Sequence, residues 1–417
     1  MFMRMNHRSK VAVLRTSPAT VLEDTHRLMN LAGYQDVIDR SVDTALKINI
    51  SWHFFYPGSS TTPWQLDGVI RAMKKDGYDA SLMHGCHNRT VVIDAHLGER
   101  ENKQVNVTDA HGLRNLHLYE DEEWIHIRDA VGDLTDQFLC LNDVYPDGFM
   151  IPKRFIGENI IHLPTVKTHV FTTITGAMKN AFGGLLGRRR HWTHSVIHET
   201  LVDLLMIQQA IHPGLFAVMD GTFAGDGPGP RAMHWHEKNV LLASADQVAI
   251  DAASAMLQGF DPRTIPFLRI AHELGLGVGD PREIEFVGDE DATAERWAFN
   301  QEDTFASRGQ KTIYHGALKP LETLLLRSPI VPWSYFASNF YHNVYWYPVV
   351  GRRRVEAALK TPWGQLFEQY GADAGLEGAV LPTVETKTLL QGLGALAGFA
   401  ALVGGGIGLL NTLSSRH

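Results

Sequence analysis

Short apolar runs alternate with longer amphipathic segments along much of the chain. The apolar runs VAVLRT, ALKINI, DASLMHG, NIIHLPT, LFAVMDG and NVLLASA have the length and composition of buried strands. Segments between them, such as HSVIHETLVDLLMIQQAI and DQVAIDAASAMLQGF, have helical character, and Thr62 followed by Pro63 predicts a capped helix start. This alternation predicts an α/β fold in which helices cover a mostly parallel sheet.

Polar side chains follow several of the predicted strands. His84 and His87 come after DASLM, Lys167 and His169 after NIIHLPT, and Asp220 after LFAVM. Ligands of open parallel sheets bind beyond the carboxyl ends of the strands. The pattern therefore predicts that these residues contribute to one site.

The histidines and lysines in this set have alternative roles. His87, in HGCHNRT, is either a turn histidine or a general acid/base, because an unperturbed imidazole titrates near neutral pH. His169 is the stronger acid/base candidate, since it lies two residues after Lys167 and just past a strand. Lys179, in TGAMKNAFGG, could tether a cofactor, pair with an anion, or be a solvated lysine at a helix end.

A basic and histidine-rich stretch follows Lys179. An arginine run is most often a solvated surface, but it could also bind a phosphate or carboxylate through Arg188, Arg189 and Arg190. Histidines spaced by three and four residues share one helix face and suit a metal ion, which makes ligand candidates of His191, His194 and His198. The GDGPGP loop with Asp226 could cradle an anion or form a plain tight turn.

The C-terminal region differs in kind from the rest. Leu389–Leu410 contains 22 residues without a charge, and at ~1.5 Å per residue such a helix crosses a hydrocarbon core of ~30 Å. It predicts either a membrane anchor or a buried or interfacial helix. Composition also shifts near residues 306–318. We divide the chain into an α/β domain (1–310), an aromatic and helical extension (311–385) and the hydrophobic tail (386–417).

Composition and charge exclude several classes of function. Apolar residues make up 44% and charged residues 20%, as in ordinary globular proteins, and the net charge of −8 argues against nucleic-acid binding. Two cysteines, Cys86 and Cys140, cannot hold an all-cysteine iron–sulfur cluster. A strand follows the first ten residues directly, without a secretory leader, so we expect a cytoplasmic body that the tail could anchor to the membrane.

Several motifs resemble one known family. KTHVFTTITGAMKNAFGGLLG, DGTFAGDGPGP, ASADQVAIDAASAMLQGFDP and LGLGVGD are similar to hallmarks of the domain of unknown function 362 family, and the resemblance covers roughly residues 10–288. It implies an α/β domain, which in some members is fused to ferredoxin-type clusters. The family name implies no particular activity.

A second, more distant resemblance is to lactate racemase and its relatives, which use a nickel-pincer nucleotide. GCHNR and KTHVFTTITGAMK match that family's order and spacing. The resemblance implies acid/base roles for His87 and His169, a cofactor tether at Lys179, and a nickel ligand at His194 or His191. The early segment SWHFFYPGSSTTP lacks that family's Asp and Arg, so cofactor phosphates would depend on the arginine run.

These observations predict a cofactor- or metal-dependent enzyme that acts on a small hydroxy- or carboxy-bearing substrate, with racemase-like or epimerase-like hydride transfer as the finer expectation. Lys167, Lys179, the arginine run and Asp226 are the expected cofactor contacts. The alternative is a non-catalytic, membrane-tethered protein that binds a ligand or assists assembly. A homo-oligomer remains open, and the presence of only two cysteines argues against an electron-transfer role.

Overall fold

The structure, a computed structural model, describes residues 9–90, 92–187, 189–314, 316, 319–321 and 332–371, without the side chains of 305, 306 and 332–335. The chain divides into two compact units. Described residues of the first unit are 9–304 and 350–371, apart from 91 and 188, and those of the second fall within 305–349. Arg188 and the predicted hydrophobic tail lie outside the described residues.

A mostly parallel sheet of ten described strands organises the first unit, in the order β12-β1-β11-β10-β7-β2-β3-β4 with β8 and β9 attached beside β10. Only β11 runs antiparallel to β1 and β10, and β9 antiparallel to β8, among the described strands of this sheet. A separate antiparallel pair is formed by β5 and β6. The strands are β1 (Lys10–Arg15), β2 (Thr44–Ile48), β3 (Met83–His87), β4 (Arg114–His117), β5 (Trp124–His126), β6 (Met150–Pro152), β7 (Asn159–Leu163), β8 (Thr165–His169), β9 (Thr173–Thr175), β10 (Leu215–Asp226), β11 (His234–Ser244) and β12 (Glu285–Gly288).

Helices lie on both faces of this sheet, which confirms the predicted α/β class. The α-helices of the first unit before residue 304 are α1 (Val21–Leu31), α2 (Pro63–Lys75), α3 (Ala95–Glu101), α4 (Gln104–His111), α5 (Leu118–Asp121), α6 (Ile127–Val131), α7 (Leu141–Val144), α8 (Ala177–Leu185), α9 (Ile197–Ile211), α10 (Gln247–Gln258), α11 (Pro266–Glu273) and α12 (Glu290–Thr293). In the second unit lie α13 (Phe305–Tyr314), α14 (Pro332–Asn339) and most of a π-helix (Phe340–Gly351); α15 (Arg352–Ala358) and α16 (Pro362–Gln369) belong to the first unit.

Alternating side chains of the strands build two hydrophobic cores. Val11 and Val13 of β1 pack into the core that contains α8, α9, α10 and α11. Ala12 and Leu14 of the same strand pack into the core with α1 and α2. This two-sided burial follows from the period of two along a strand and explains why the strands read as continuous apolar runs.

Helix starts agree with the side chains that the sequence offers. The Thr62 hydroxyl accepts a hydrogen bond from the Gln65 amide at 3.3 Å, and Pro63 is the first residue of α2. The carboxylate of Asp246 likewise accepts the amides of Val248 and Ala249 and caps α10. These caps satisfy amides that would otherwise lack partners at the helix start.

Residues 350–371, assigned from the sequence to the extension, pack within the first unit. The Trp363 ring lies 5.1 Å from that of Trp64, and its indole donates to Asn239 at 2.7 Å. The Tyr370 hydroxyl donates to Asp67 at 2.8 Å. Among the described helices, none combines the length and apolarity that crossing a membrane requires.

Candidate active site

The carboxyl ends of β2 and β8 form the floor of the candidate site. Lys167 of β8 is fully buried, and its ammonium donates to Ser59 O and Thr165 Oγ1 at 2.7 Å and to Asn49 Oδ1 at 3.3 Å. An ammonium group has three protons, so these acceptors use all of them. Lys167 therefore connects the segment after β2 to β8 through hydrogen bonds. Burial holds the pKa of Lys167 well below its usual value.

His169 is the last residue of β8, and its hydrogen bonds define which ring nitrogen carries the proton. Its Nδ1 accepts the backbone amides of Phe171 at 3.1 Å and Thr172 at 3.4 Å. Burial, followed by the charge of Lys179, holds the pKa of His169 well below its ordinary value, so the ring is neutral. Because Nδ1 accepts, the single ring proton lies on Nε2, and His169 offers an N–H donor to a ligand.

Helix α8 brings Lys179 over this floor, and its start is held by a buried carboxylate. Asp251 of α10 accepts the amides of Ala177 at 2.6 Å and Met178 at 3.1 Å. A Cβ on Gly176 would lie 2.1 Å from Asp251 Oδ1, so only glycine permits this contact. Burial raises the pKa of Asp251 to about 7.

The glycine pair of the AFGG segment permits a second close approach. A Cβ on Gly184 would lie 3.0 Å from Cε of Lys47, the buried lysine of β2. The Lys47 ammonium donates to Ile48 O at 2.7 Å, and burial lowers its pKa to about 8. Asn180 of α8 also donates to Lys47 O at 2.8 Å, so α8 is docked on the end of β2.

Lys179 and Arg190 are cations without a carboxylate at ion-pair distance among the described residues. The Lys179 ammonium lies 5.1 Å from the centre of the Phe182 ring, and the Arg190 guanidinium lies 5.9 Å from it. Burial and then Arg190 lower the pKa of Lys179 to about 8; burial also lowers the pKa of Arg190. A substantial fraction of Lys179 is therefore uncharged just below pH 8.

His194 completes this group from the 3₁₀ helix Arg190–Val196. Its Nδ1 donates to His191 O at 3.0 Å, which leaves Nε2 as the acceptor nitrogen. Burial lowers the pKa of His194 to about 3. We call His169, Lys179, Arg190 and His194, with the rings of Phe171 and Phe182 beside them, the basic recess.

A second polar group lies at the ends of β3 and β4. Glu99 Oε2 is 2.9 Å from His87 Nε2 and 3.2 Å from His117 Nε2, and Asn115 donates to it at 2.6 Å. Burial opposes ionisation, but hydrogen bonds from His117 and His87 prevail and lower the pKa of Glu99 to about 2. We call His87, Glu99 and His117, with His96 at their edge, the His–Glu cluster.

The two groups are neighbours on one edge of the sheet. Arg190 donates to the carbonyl of Arg89, two residues after His87, at 3.4 Å. The charge of Lys47 also lowers the pKa of His87, for which burial is the largest cause. The arginine therefore reaches from the basic recess to the chain segment that leaves the cluster.

The structure brings together four of the predicted site residues, namely His169, Lys179, Arg190 and His194. His87 makes its contacts in the His–Glu cluster instead. Arg189 is exposed and stacks on Trp192 at 5.0 Å, and the Asp226 carboxylate accepts the Asn300 amide at 2.8 Å on the β10–β11 side.

Three other expectations from the sequence have structural explanations. His84 lies inside β3, with Nε2 3.5 Å from Glu158 Oε2, and not beyond the strand end. Asp220 is fully buried and accepts the Trp64 indole at 3.0 Å. The GDGPGP loop packs closely on β8, because Thr168 donates to Gly227 O at 2.7 Å.

Sequence reasoning missed Glu99, Asn115 and His117. A signal for Glu99 exists, since His96 and Glu99 are three residues apart and share one face of α3. His117 had no comparable signal, because it joins the cluster through the register that places it opposite His87.

Comparison with known proteins identifies the family of the chain. The profile of the family described as "Domain of unknown function (DUF362)" matches residues 44–256, just over half of the 417-residue chain. The chain belongs to the DUF362 family. The DUF362 segment contains the whole basic recess and the whole His–Glu cluster.

One curated relative is a thylakoid-associated protein of Synechocystis. It is 34% identical over 127 residues, which are 29% of this DUF362 chain and 38% of the relative. The match therefore spans well under half of either protein. No solved structure matches the chain.

Proposed function

We propose that this DUF362 protein is an enzyme that binds a small hydroxy- or carboxy-bearing anion in the basic recess. The supporting observation is the pairing of Lys179 and Arg190 beside one aromatic ring without a carboxylate partner among the described residues. Both side chains are half-buried, and charges that are withdrawn from water are normally paired, since desolvation of an isolated ion is costly. A bound anion would supply the missing countercharge.

Each residue of the recess has a role that follows from its protonation state. The planar Arg190 guanidinium can hold a carboxylate through two parallel hydrogen bonds. The Nε2–H of His169 would donate to a substrate oxygen, as a neutral imidazole can polarise a carbonyl or stabilise an oxyanion. The acceptor Nε2 of His194 would take a proton.

Binding of an anion would also adjust the basicity of these groups. Burial is the largest cause of the lowered pKa of His194, and the positive charge of Lys179 lowers it further, against the backbone hydrogen bond with His191. A negative ligand would offset that charge and raise the pKa of His194 toward neutrality, where general-base catalysis is most effective. Substrate would thus activate the base that acts on it.

The finer proposal is racemase-like chemistry with a cofactor on Lys179. Its lowered pKa makes the Lys179 amine a competent nucleophile for a covalent tether. A nickel-pincer nucleotide held there would supply hydride acceptance and return. The charge of Lys179 acts on both His169 and His194, whereas His87 is engaged by Glu99.

The test is thermal unfolding of the full chain with lactate, malate and inorganic phosphate, and with glycerol as the uncharged control. We expect anions to raise the unfolding temperature of the wild type and to lose that effect in Lys179→Gln and Arg190→Gln. Arg189→Gln is the matched control, because Arg189 stacks on Trp192. Equal stabilisation of all four proteins, or none of the wild type, would contradict the proposal.

A second candidate function is a non-catalytic role at a membrane surface. On the π-helix, exposed fractions reach 52% for Phe340 and 53% for Tyr345, and Val344 and Val349 are exposed as well. The relative described as thylakoid-associated favours the same role. Flotation of the wild type with lipid vesicles, and its loss in the double variant Phe340→Ser and Tyr345→Ser, would support the membrane role. If the wild type does not float with vesicles, the membrane role is excluded.

A further inference from the structure

Two parallel strands place histidines of the His–Glu cluster side by side. His87 ends β3 and lies directly opposite His117, which ends β4. Paired residues of adjacent strands direct their side chains to the same face of a sheet. The two imidazole rings accordingly lie 4.8 Å apart at a nearly perpendicular angle.

Helix α3 directs a carboxylate between these two rings. The Asp94 side chain accepts the Leu97 amide at 2.9 Å and fixes the helix start, so Glu99 faces the strand ends. One oxygen, Glu99 Oε2, meets both Nε2 atoms, and all three ligand atoms lie within 4.8 Å of one another. Ligands around a tetrahedral zinc ion are separated by roughly 3.4 Å, so small side-chain shifts would admit an ion.

We propose that His87, Glu99 and His117 bind a divalent transition-metal ion with the ligand preference of zinc. Two imidazoles and one carboxylate form the protein donor set of many catalytic zinc sites, and imidazole also accepts cobalt and nickel. The site is separate from the predicted ligands His191 and His194. It does not rest on anion binding in the basic recess.

Neighbouring groups support the ligands as in known metal sites. Asp121 Oδ2 lies 3.5 Å from His117 Nδ1, the nitrogen that a metal at Nε2 would leave for a carboxylate partner. His87 differs from His117 in this respect, because its Nδ1 is buried without a hydrogen-bond partner among the described atoms and only Nε2 faces Glu99. Asn115 donates to Glu99 Oε2 and holds that oxygen in place.

His96 borders the cluster on the solvent side and groups with His117 and Glu120, so its side chain would have to move to become a fourth ligand. Its ring lies 3.9 Å from that of His117, and its Nδ1 is 3.8 Å from Glu99 Oε1. The half-exposed His96 also contacts Glu120 Oε2 at 2.8 Å. A partly exposed fourth ligand can be exchanged for water or substrate, as open catalytic zinc sites require.

The test is titration of chelator-treated full-length protein with Co²⁺, followed by its visible absorption, and then competition with Zn²⁺. We expect one Co²⁺ at this site in the wild type. Glu99→Gln and His117→Ala should weaken binding by ~100-fold or more, and Asp121→Asn by roughly 10-fold. His191→Ala with His194→Ala, and the distant His236→Ala, should bind Co²⁺ like the wild type.

Folding is checked in the same samples. Zn²⁺ should raise the unfolding temperature of the wild type and leave that of the isosteric Glu99→Gln unchanged. Absence of Co²⁺ binding by the wild type, or equal affinity in folded Glu99→Gln, would overturn the proposed site. Loss of binding in the His191 and His194 double variant alone would overturn it in favour of the other histidine pair.

Discussion

The basic recess and the His–Glu cluster are neighbours that use histidine in opposite ways. In the recess, His169 and His194 stand among cations, and their low pKa values keep them neutral. In the cluster, the hydrogen bond that His117 donates to Glu99 raises the pKa of His117, although burial still lowers that of His87. Burial is the largest cause of the low pKa values of His169 and His194, and nearby cations add to it, whereas the carboxylate of Glu99 sets the direction for His117.

The supports of the two regions also differ. The recess depends on a buried carboxylate, Asp251, which caps α8 from outside the site. The cluster contains its own carboxylate, Glu99, and depends on the register of two strands. Changes to the α8 cap should consequently damage the recess and leave the cluster intact.

The largest expected effect is the pH dependence of the free energy of unfolding that Asp251, the cap of α8 in the recess, contributes. Burial raises the pKa of Asp251 from 3.8 to about 7, so its stability contribution is full below pH ~4 and is lost as the pH rises through about 7. The free energy of unfolding of the wild type, relative to Asp251→Asn, should fall by up to ~4 kcal/mol across this window. Urea denaturation of both proteins at several pH values measures this difference. Parallel pH profiles of the wild type and Asp251→Asn would contradict the prediction.

The next effect is a raised reactivity of Lys179, which tests whether the recess gathers positive charge. With a pKa of about 8, Lys179 should react with an amine-selective acylating reagent ~100-fold faster at pH 7 than ordinary lysines, whose pKa is ~10.4. Arg190→Gln should slow this reaction, because a neighbouring positive charge is removed and the pKa of Lys179 rises. Peptide mass spectrometry over pH 6–10, at about one-unit steps, gives the midpoint. A Lys179 rate equal to the bulk lysines would contradict the account.

A steric change tests the α8 cap directly. Gly176→Ala would place a Cβ 2.1 Å from Asp251 Oδ1 and should lower the free energy of unfolding by roughly 2–3 kcal/mol. Gly187→Ala is the matched control, since nothing lies within 4 Å of its added Cβ. Urea denaturation compares the two variants, and Co²⁺ binding by the cluster should survive both. Similar stability of both variants would show that the cap is not closely packed.

The smallest effect concerns the histidines themselves. In NMR titration, His194 should stay neutral until the pH falls to about 3, because burial dominates its pKa, whereas His117 should titrate above 6.5. Lys179→Gln should move the His194 midpoint upward and leave His117 in place. Movement of both midpoints together would contradict the separation of the two regions.

The sequence predicted the fold class and the helix caps because these depend on local pattern. The continuation of β7 through Pro164 into β8 was not predicted, and it turns Lys167 from a loop residue into a buried strand residue. His169 and Lys179 could be selected as candidates because they lie at a strand end and beside small residues. His117 could not be found, since β4 and its register with β3 depend on long-range packing.

Isothermal titration calorimetry at pH 8 tests the central claim, that an anion binds in the basic recess, where Lys179 and Arg190 have no carboxylate partner among the described residues. Lactate, which is fully ionised at this pH, should bind the wild type with uptake of about half a proton, because Lys179 is half protonated near its pKa of about 8 and becomes charged on binding. Buffers with different ionisation enthalpies report this uptake. Arg189→Gln should bind the anion with the same proton uptake as the wild type, and Lys179→Gln should not bind the anion. Anion binding without proton uptake, or unchanged in Lys179→Gln, would contradict the account.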